Sequence, residues 1–176
     1  MRFPLLFVAL SFILASCWPT SVSFKDKGSM DARWQKFYVT TLESNAPTAA
    51  LYYPARLTED LKDGIQNNTR LKLGTNKDSC QVVIEGIIVG YNVSPAAIQQ
   101  GDNAAKSRLN VSVKFTIFNN VTPKEGEIVE EVMEMTATRF VDFSANDDFT
   151  SVEASLIEEV NKQIVQDVIN KLMSNW

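Results

Sequence analysis

The chain contains no histidine in 176 residues and only two cysteines, and its charge is balanced toward acid, 17 Lys and Arg against 21 Asp and Glu. Without imidazole there is no Ser-His-Asp or Cys-His relay, and the commonest zinc ligand is missing. Cys17 and Cys80 alone cannot build a zinc cluster or a multi-disulfide framework. A formal net charge of −4 argues against a nucleic-acid partner, because phosphate neutralisation needs a clustered basic face. Phosphate loops of the GxGxxG or GxxxxGK[ST] kind are absent, as is a CxxC pair. The longest apolar run is about a dozen residues, against the roughly 20 that a spanning helix needs. What remains is ordinary globular material, 45% hydrophobic and 22% charged, long enough for one domain with its own core.

The first residues read as an address. Arg2 supplies one positive charge, and residues 3–14 are apolar except for Pro4 and Ser11. Leu14-Ala15-Ser16-Cys17 follows and resembles a bacterial lipobox, in which the cysteine thiol receives a diacylglycerol before cleavage. Residues 1–16 are therefore expected to be a lipoprotein signal peptide. Residues 17–31 form a lipidated Cys17 with a flexible tether, and residues 32–176 form a single domain. The alternative is an ordinary secretory signal with Cys17 present by accident. Each buried acyl CH₂ contributes about 0.8 kcal/mol, so a multiply acylated cysteine anchors the protein almost irreversibly. Lipidation leaves Cys80 without an internal partner. Beside Val82 and Val83 it reads as a small buried hydrophobe, with a reactive or intermolecular thiol as the other reading.

Periodicity divides the body into strands and helices. Residues 33–41 are rich in aromatic and β-branched side chains, which favours a strand. From about 51 to 68, Leu57, Leu61 and Ile65 recur every four positions, an amphipathic helix that tolerates Pro54 in its first turn and is weakened by Gly64. Residues 80–93 read as a strand with Val82, Ile84 and Ile88 on one face and Val83, Ile87, Val89 and Tyr91 on the other; Gly86 and Gly90 fall on the first face. Leu109, Val111, Val113, Phe115 and Ile117 alternate with Arg108, Asn110, Ser112, Lys114 and Thr116, one buried and one polar face. A turn over residues 119–126 leads to a returning strand at 128–140, in which Glu130-Glu131 suggests a bulge. Thr150 and Glu153 match the T-x-x-E capping box. Val152, Leu156, Val160, Ile164, Val168 and Leu172 then form an apolar stripe. The expected fold is α+β, a two-layer sandwich of one four-stranded sheet with two helices packed on one face, in the order β-α-β-β-β-α.

Candidate chemistry is thin. Asp147 and Asp148 lack the further oxygens a hard cation requires, and read more simply as solvated acids before a helix. Glu130 and Glu131, adjacent on a strand, point to opposite faces and cannot act as an acid/base pair. No enzyme, cofactor or metal is expected. The feature that survives is the sheet face opposite the helices. It would present Val83, Ile87, Val89 and Tyr91 as a partner surface, unless a loop or the tether covers it.

The residues also resemble a family. Glu43-Ser44-Asn45-Ala46-Pro47, the run from Glu85 to Pro95, the run from Arg108 to Phe115, and the C-terminal segment from Ser151 to Trp176 together resemble the LptE family of outer-membrane lipoproteins. The resemblance implies a periplasm-facing lipoprotein of a Gram-negative outer membrane. Such a protein plugs and supports an LptD-like β-barrel and binds lipopolysaccharide during its insertion into the outer leaflet. For the anionic phosphates of that ligand, Lys106, Arg108 and Lys114 are the candidate contacts. The alternative is an unrelated periplasmic ligand-binding or assembly-chaperone lipoprotein.

Overall fold

In the computed structural model the described residues are 30–96 and 106–174. The elements are β1 (Lys36–Val39), β2 (Glu43–Ser44), α1 (Tyr53–Asn68), β3 (Lys72–Leu73), β4 (Val82–Pro95), β5 (Lys106–Asn119), β6 (Val132–Ser144) and α2 (Phe149–Met173), with a 3-10 turn at Lys77–Ser79. The signal-peptide reading, Cys17 and the loop around Gly101 lie outside the described residues.

The α+β class with two helices holds, but the sheet has six strands where four were expected. Its order is β3-β1-β4-β5-β6, with β2 also paired to β4. The additions are β2 and β3, each two residues long and each joined by parallel pairing, β2 to β4 and β3 to β1. Two residues cannot display an alternation, so periodicity carries no trace of them. β1 and β4 are parallel and therefore need a crossover, which contains α1; β4, β5 and β6 form an antiparallel meander.

Alternation builds the core. Leu109, Val111, Val113, Phe115 and Ile117 of β5 are fully buried, with Val82, Ile84 and Ile88 of β4 beside them. Leu57, Leu61 and Ile65 of α1 and Leu156, Val160, Ile164, Val168 and Leu172 of α2 belong to the same cluster. Each such side chain contributes about 1.5–3 kcal/mol on leaving water. Pro54 sits in the first turn of α1, where no backbone N–H is missed. Gly64 marks the helix crossing, since a Cβ there would lie 2.2 Å from Val165 Cγ1. Cys80 is free and buried, its Sγ 3.2 Å from the Asn76 carbonyl.

Two local expectations are corrected. α2 starts at Phe149 after Asp148, with no side-chain cap bond. Thr150 therefore lies inside the first turn, and the Glu153 carboxylate accepts from the Tyr91 hydroxyl at 2.6 Å instead of reaching back to a backbone amide. Glu130 and Glu131 precede β6, and the register of β5 with β6 shows no bulge. The irregularity is in β4, between Ile88 and Gly90.

The chain enters the domain through a clasp. Met30 is buried, and Arg70 Nη2 donates to the carbonyls of Met30, at 3.1 Å, and Asp31. Arg33 forks between Asp31, at 2.6 Å, and Glu127 of the β5–β6 hairpin, at 2.8 Å. Trp34 Nε1 donates to Asn119 Oδ1 at 2.9 Å.

Candidate functional site

The helices cover one face of the sheet, and the other face of β4–β6 is open. Even-numbered residues of β5 stand on it because their odd-numbered neighbours are the buried ones. Lys106, Arg108 and Lys114 therefore share this face, as the alternation implies. Register then places residues of β6 beside them: Arg108 opposite Asp142, Ser112 opposite Thr138, and Lys114 opposite Thr136.

Two of the three cations meet carboxylates there. Arg108 makes a forked pair with Asp142, Nε–Oδ1 2.6 Å and Nη2–Oδ2 2.9 Å, and its guanidinium lies 3.8 Å above the Phe140 ring centroid. Hydrogen bonding from Arg108 holds the Asp142 carboxyl below the usual carboxylate range, and Lys106 adds to that pull. Lys114 Nζ is 3.1 Å from Glu134. Both pairs are open to solvent and screened by it, so a competing anion has access to the same donors. Lys114 also lines a groove of about 340 Å³ with Thr40, Thr41, Glu43, Glu85 and Ile87. Sequence reasoning did not bring the Thr40–Glu43 wall to this groove, because it read residues 33–41 as one strand and gave no sign that β2 at Glu43–Ser44 pairs with β4.

The four residues expected to form a partner surface separate into three situations. Ile87 and Val89 are exposed on the open face, at 36% and 50%. Val83 points to that face but is buried, beside its register partner Phe118. Tyr91 is a correction. The bulge between Ile88 and Gly90 inserts one residue and reverses the parity of β4. Gly90 then stands opposite Ser112, on the open face where the opposite had been expected, and Tyr91 turns into the core, 3% exposed. There its ring centroid lies 5.2 Å from that of Tyr53. Tyr53 donates to Asn161 Oδ1 at 2.9 Å, and Asn161 Nδ2 to Asp60 at 2.7 Å. Burial pushes both phenols well above the ordinary tyrosine range, and the bond to Glu153 adds to the shift at Tyr91. This network joins β4 to both helices. In place of Tyr91 the open face gains Phe140 and Val132, both about half exposed. The alternation of β6 (Val132, Glu134, Thr136, Thr138, Phe140) carried that signal.

Among the described residues no group of three or more Cys, Asp or Glu is arranged to hold a metal ion. Nor is any helix there long and apolar enough to cross a membrane. The open face offers hydrogen bonding, exchangeable charge and a few apolar contacts, which is the chemistry of binding.

Residues 34–172 match the model of a family described as LptE, lipopolysaccharide-assembly. No curated protein matches the chain. Among solved structures, protein CT253 of Chlamydia trachomatis is similar at 9% identity with a TM-score of 0.53, covering 81% of this chain and 99% of its own. A neuraminyllactose-binding hemagglutinin homologue of Helicobacter pylori is similar at 8% identity and TM-score 0.52, covering 89% of each chain. Lipoprotein B of Nitrosomonas europaea gives 16% identity and TM-score 0.49 over 88% and 91%. At these identities the likeness to the first two concerns the fold alone.

Proposed function

The chain belongs to the LptE lipopolysaccharide-assembly family, and on that premise we propose that it is a non-enzymatic outer-membrane lipoprotein that plugs and supports an LptD-like β-barrel and binds lipopolysaccharide on its way to the outer leaflet. The observation that carries the reading is the family match over residues 34–172, which spans both helices' apolar stripes and all six strands. In this reading Cys17 holds the lipid and the domain faces the periplasm.

The open face fits the role physically. A barrel lumen is polar, and a plug needs a surface that hydrogen-bonds widely without large apolar patches. Ser112, Thr116, Thr136 and Thr138 provide the hydroxyls, and Ile87, Val89 and Phe140 provide scattered apolar contacts. Lys106, Arg108 and Lys114 are the proposed contacts for lipid phosphates. A phosphate offers these cations the same charge-assisted hydrogen bonds as the carboxylates it would displace. The test is a pull-down of the C-terminally tagged full chain from detergent-solubilised outer membrane, with bound proteins identified by mass. A large barrel in near-equal amount is the expected result. A monomer free of any barrel refutes the plug role.

A further inference from the structure

β6 ends the sheet, and among the described residues no strand pairs with its outer edge. The bond from the Asn119 N–H to the Glu131 carbonyl sets its parity. Asn119 and Glu131 continue the register in which Ile117 faces Met133 and Phe115 faces Met135. Odd-numbered residues of β6 therefore turn their N–H and C=O groups toward β5, and even-numbered ones turn theirs outward. Val132, Glu134, Thr136, Thr138, Phe140 and Asp142 present backbone donors and acceptors to the free edge, and all six are exposed.

Sheets blunt their edges with short strands, proline, lysine or bulges. The opposite edge follows that rule: β3 has 2 residues and begins with Lys72. β6 does not. It has 13 residues with no proline, glycine or lysine, it is bulge-free against β5, and its three charges, Glu134, Arg139 and Asp142, are already paired inside the domain. We infer that this edge is a strand-addition site, and that its occupant is an extended segment of the barrel partner with uncharged β-branched or aromatic side chains opposite Thr136, Thr138 and Phe140. The inference rests on the functional reading above.

Charge decides between occupants. Glu134 and Asp142 already face Lys114 and Arg108 on β5, so an uncharged incoming strand meets no unpaired charge. A second copy is the less favourable guest. Antiparallel pairing of β6 with itself sets even residues opposite even, whereas Arg139 lies on the helix face, bonded to Asp167 at 2.7 Å. No register brings Arg139 to Glu134 or Asp142. The full-length register, centred at Thr138, sets Glu134 against Asp142 twice, and a copy escapes this repulsion only by shifting the centre and shortening the pairing. The residues whose amides point outward also display their side chains on the open face, so one partner engages edge and face together.

Residue-resolved amide hydrogen exchange on the full chain, alone and in complex with the co-purified barrel, is the test. Alone, the amides of Thr136, Thr138 and Phe140 exchange fast while those of Met135, Ala137 and Arg139 are protected. In the complex the first set slows by roughly tenfold or more. Unchanged exchange in a barrel-bound chain overturns the edge proposal and leaves the plug reading standing. Protection in the isolated chain that grows with its concentration assigns the edge to a second copy and also overturns it. Absence of any barrel overturns both. Thr138→Pro adds a second readout, because its N–H makes no bond to β5: the thermal midpoint changes little and barrel recovery falls, whereas undiminished recovery contradicts the proposal.

Discussion

Replacing Gly64 with alanine sets two opposed effects against each other in α1. Helix propensity alone favours the change by about 0.8–1.0 kcal/mol. Packing opposes it. The new Cβ would lie 2.2 Å from Val165 Cγ1, 3.6 Å from Val165 Cβ and 3.9 Å from Ile169 Cδ1. Val165 is 7% exposed, and a β-branched side chain in a helix holds one strongly preferred rotamer. The helices must therefore separate, and overpacking of this kind costs about 1–3 kcal/mol. The net expectation is a loss of about 0–2 kcal/mol, a fall in midpoint of up to about 8 °C at 2–4 °C per kcal/mol for a chain of this size. Urea denaturation followed by circular dichroism measures it. In a Val165→Ala background the added methyl has room, so Gly64→Ala becomes neutral or stabilising there and the double-mutant coupling is favourable. A Gly64→Ala protein that is about 1 kcal/mol more stable than the parent, with no coupling to position 165, refutes the close approach of α1 and α2.

Stability against pH follows from the carboxylates. Asp31 is held below its ordinary range by hydrogen bonding from Arg33, and Asp142 by Arg108. A depressed folded value stabilises above the unfolded value of about 3.9 and is lost as pH falls through the folded one. With no histidine, the denaturation midpoint should be flat from about pH 5.5 to 7.5 and fall below about pH 4; a step near pH 6.5 contradicts this. Tyr91→Phe removes the hydroxyl that donates to Glu153 and should cost about 1–2 kcal/mol, and little when Glu153 is already Ala and the acceptor is gone, which a denaturant double-mutant cycle checks. Lys106→Gln, Arg108→Gln and Lys114→Gln together should weaken lipopolysaccharide binding by about tenfold or more with the far-ultraviolet dichroism unchanged; unaltered affinity removes these residues from the proposed site. Gln is preferable to Glu here, because Glu at 108 or 114 would add repulsion with Asp142 or Glu134.

Both long helices and the four longer strands were legible because each repeats its buried positions several times. Three things escaped for distinct physical reasons. β2 and β3 are held by parallel partners rather than by any pattern of their own. The β4 bulge is a property of two strands compared, and a single strand's alternation cannot reveal which residue is extra, so Tyr91 was assigned to the wrong face. Glu153 had the spacing of a cap, but the buried phenol of Tyr91 on another element competes for it, and only tertiary structure shows that donor. At the candidate site, the common face of Lys106, Arg108 and Lys114 followed from parity. The pairing of Arg108 with Asp142 and of Lys114 with Glu134 needed the β5–β6 register, which depends on the length of the turn between the two strands.

The clasp around Met30 has a mechanical meaning. Tension applied upstream of Met30 does not peel an edge strand, because β1 lies inside the sheet between β3 and β4. Arg70 passes the load to the segment after α1, Arg33 passes it to the β5–β6 hairpin, and Trp34 to the end of β5. The three anchor points follow one another along the chain, so a pull meets the Arg70 bonds first, then those of Arg33 and then that of Trp34. The entry segment is thus tied to the hairpin end of the domain before the first strand of the sheet is reached.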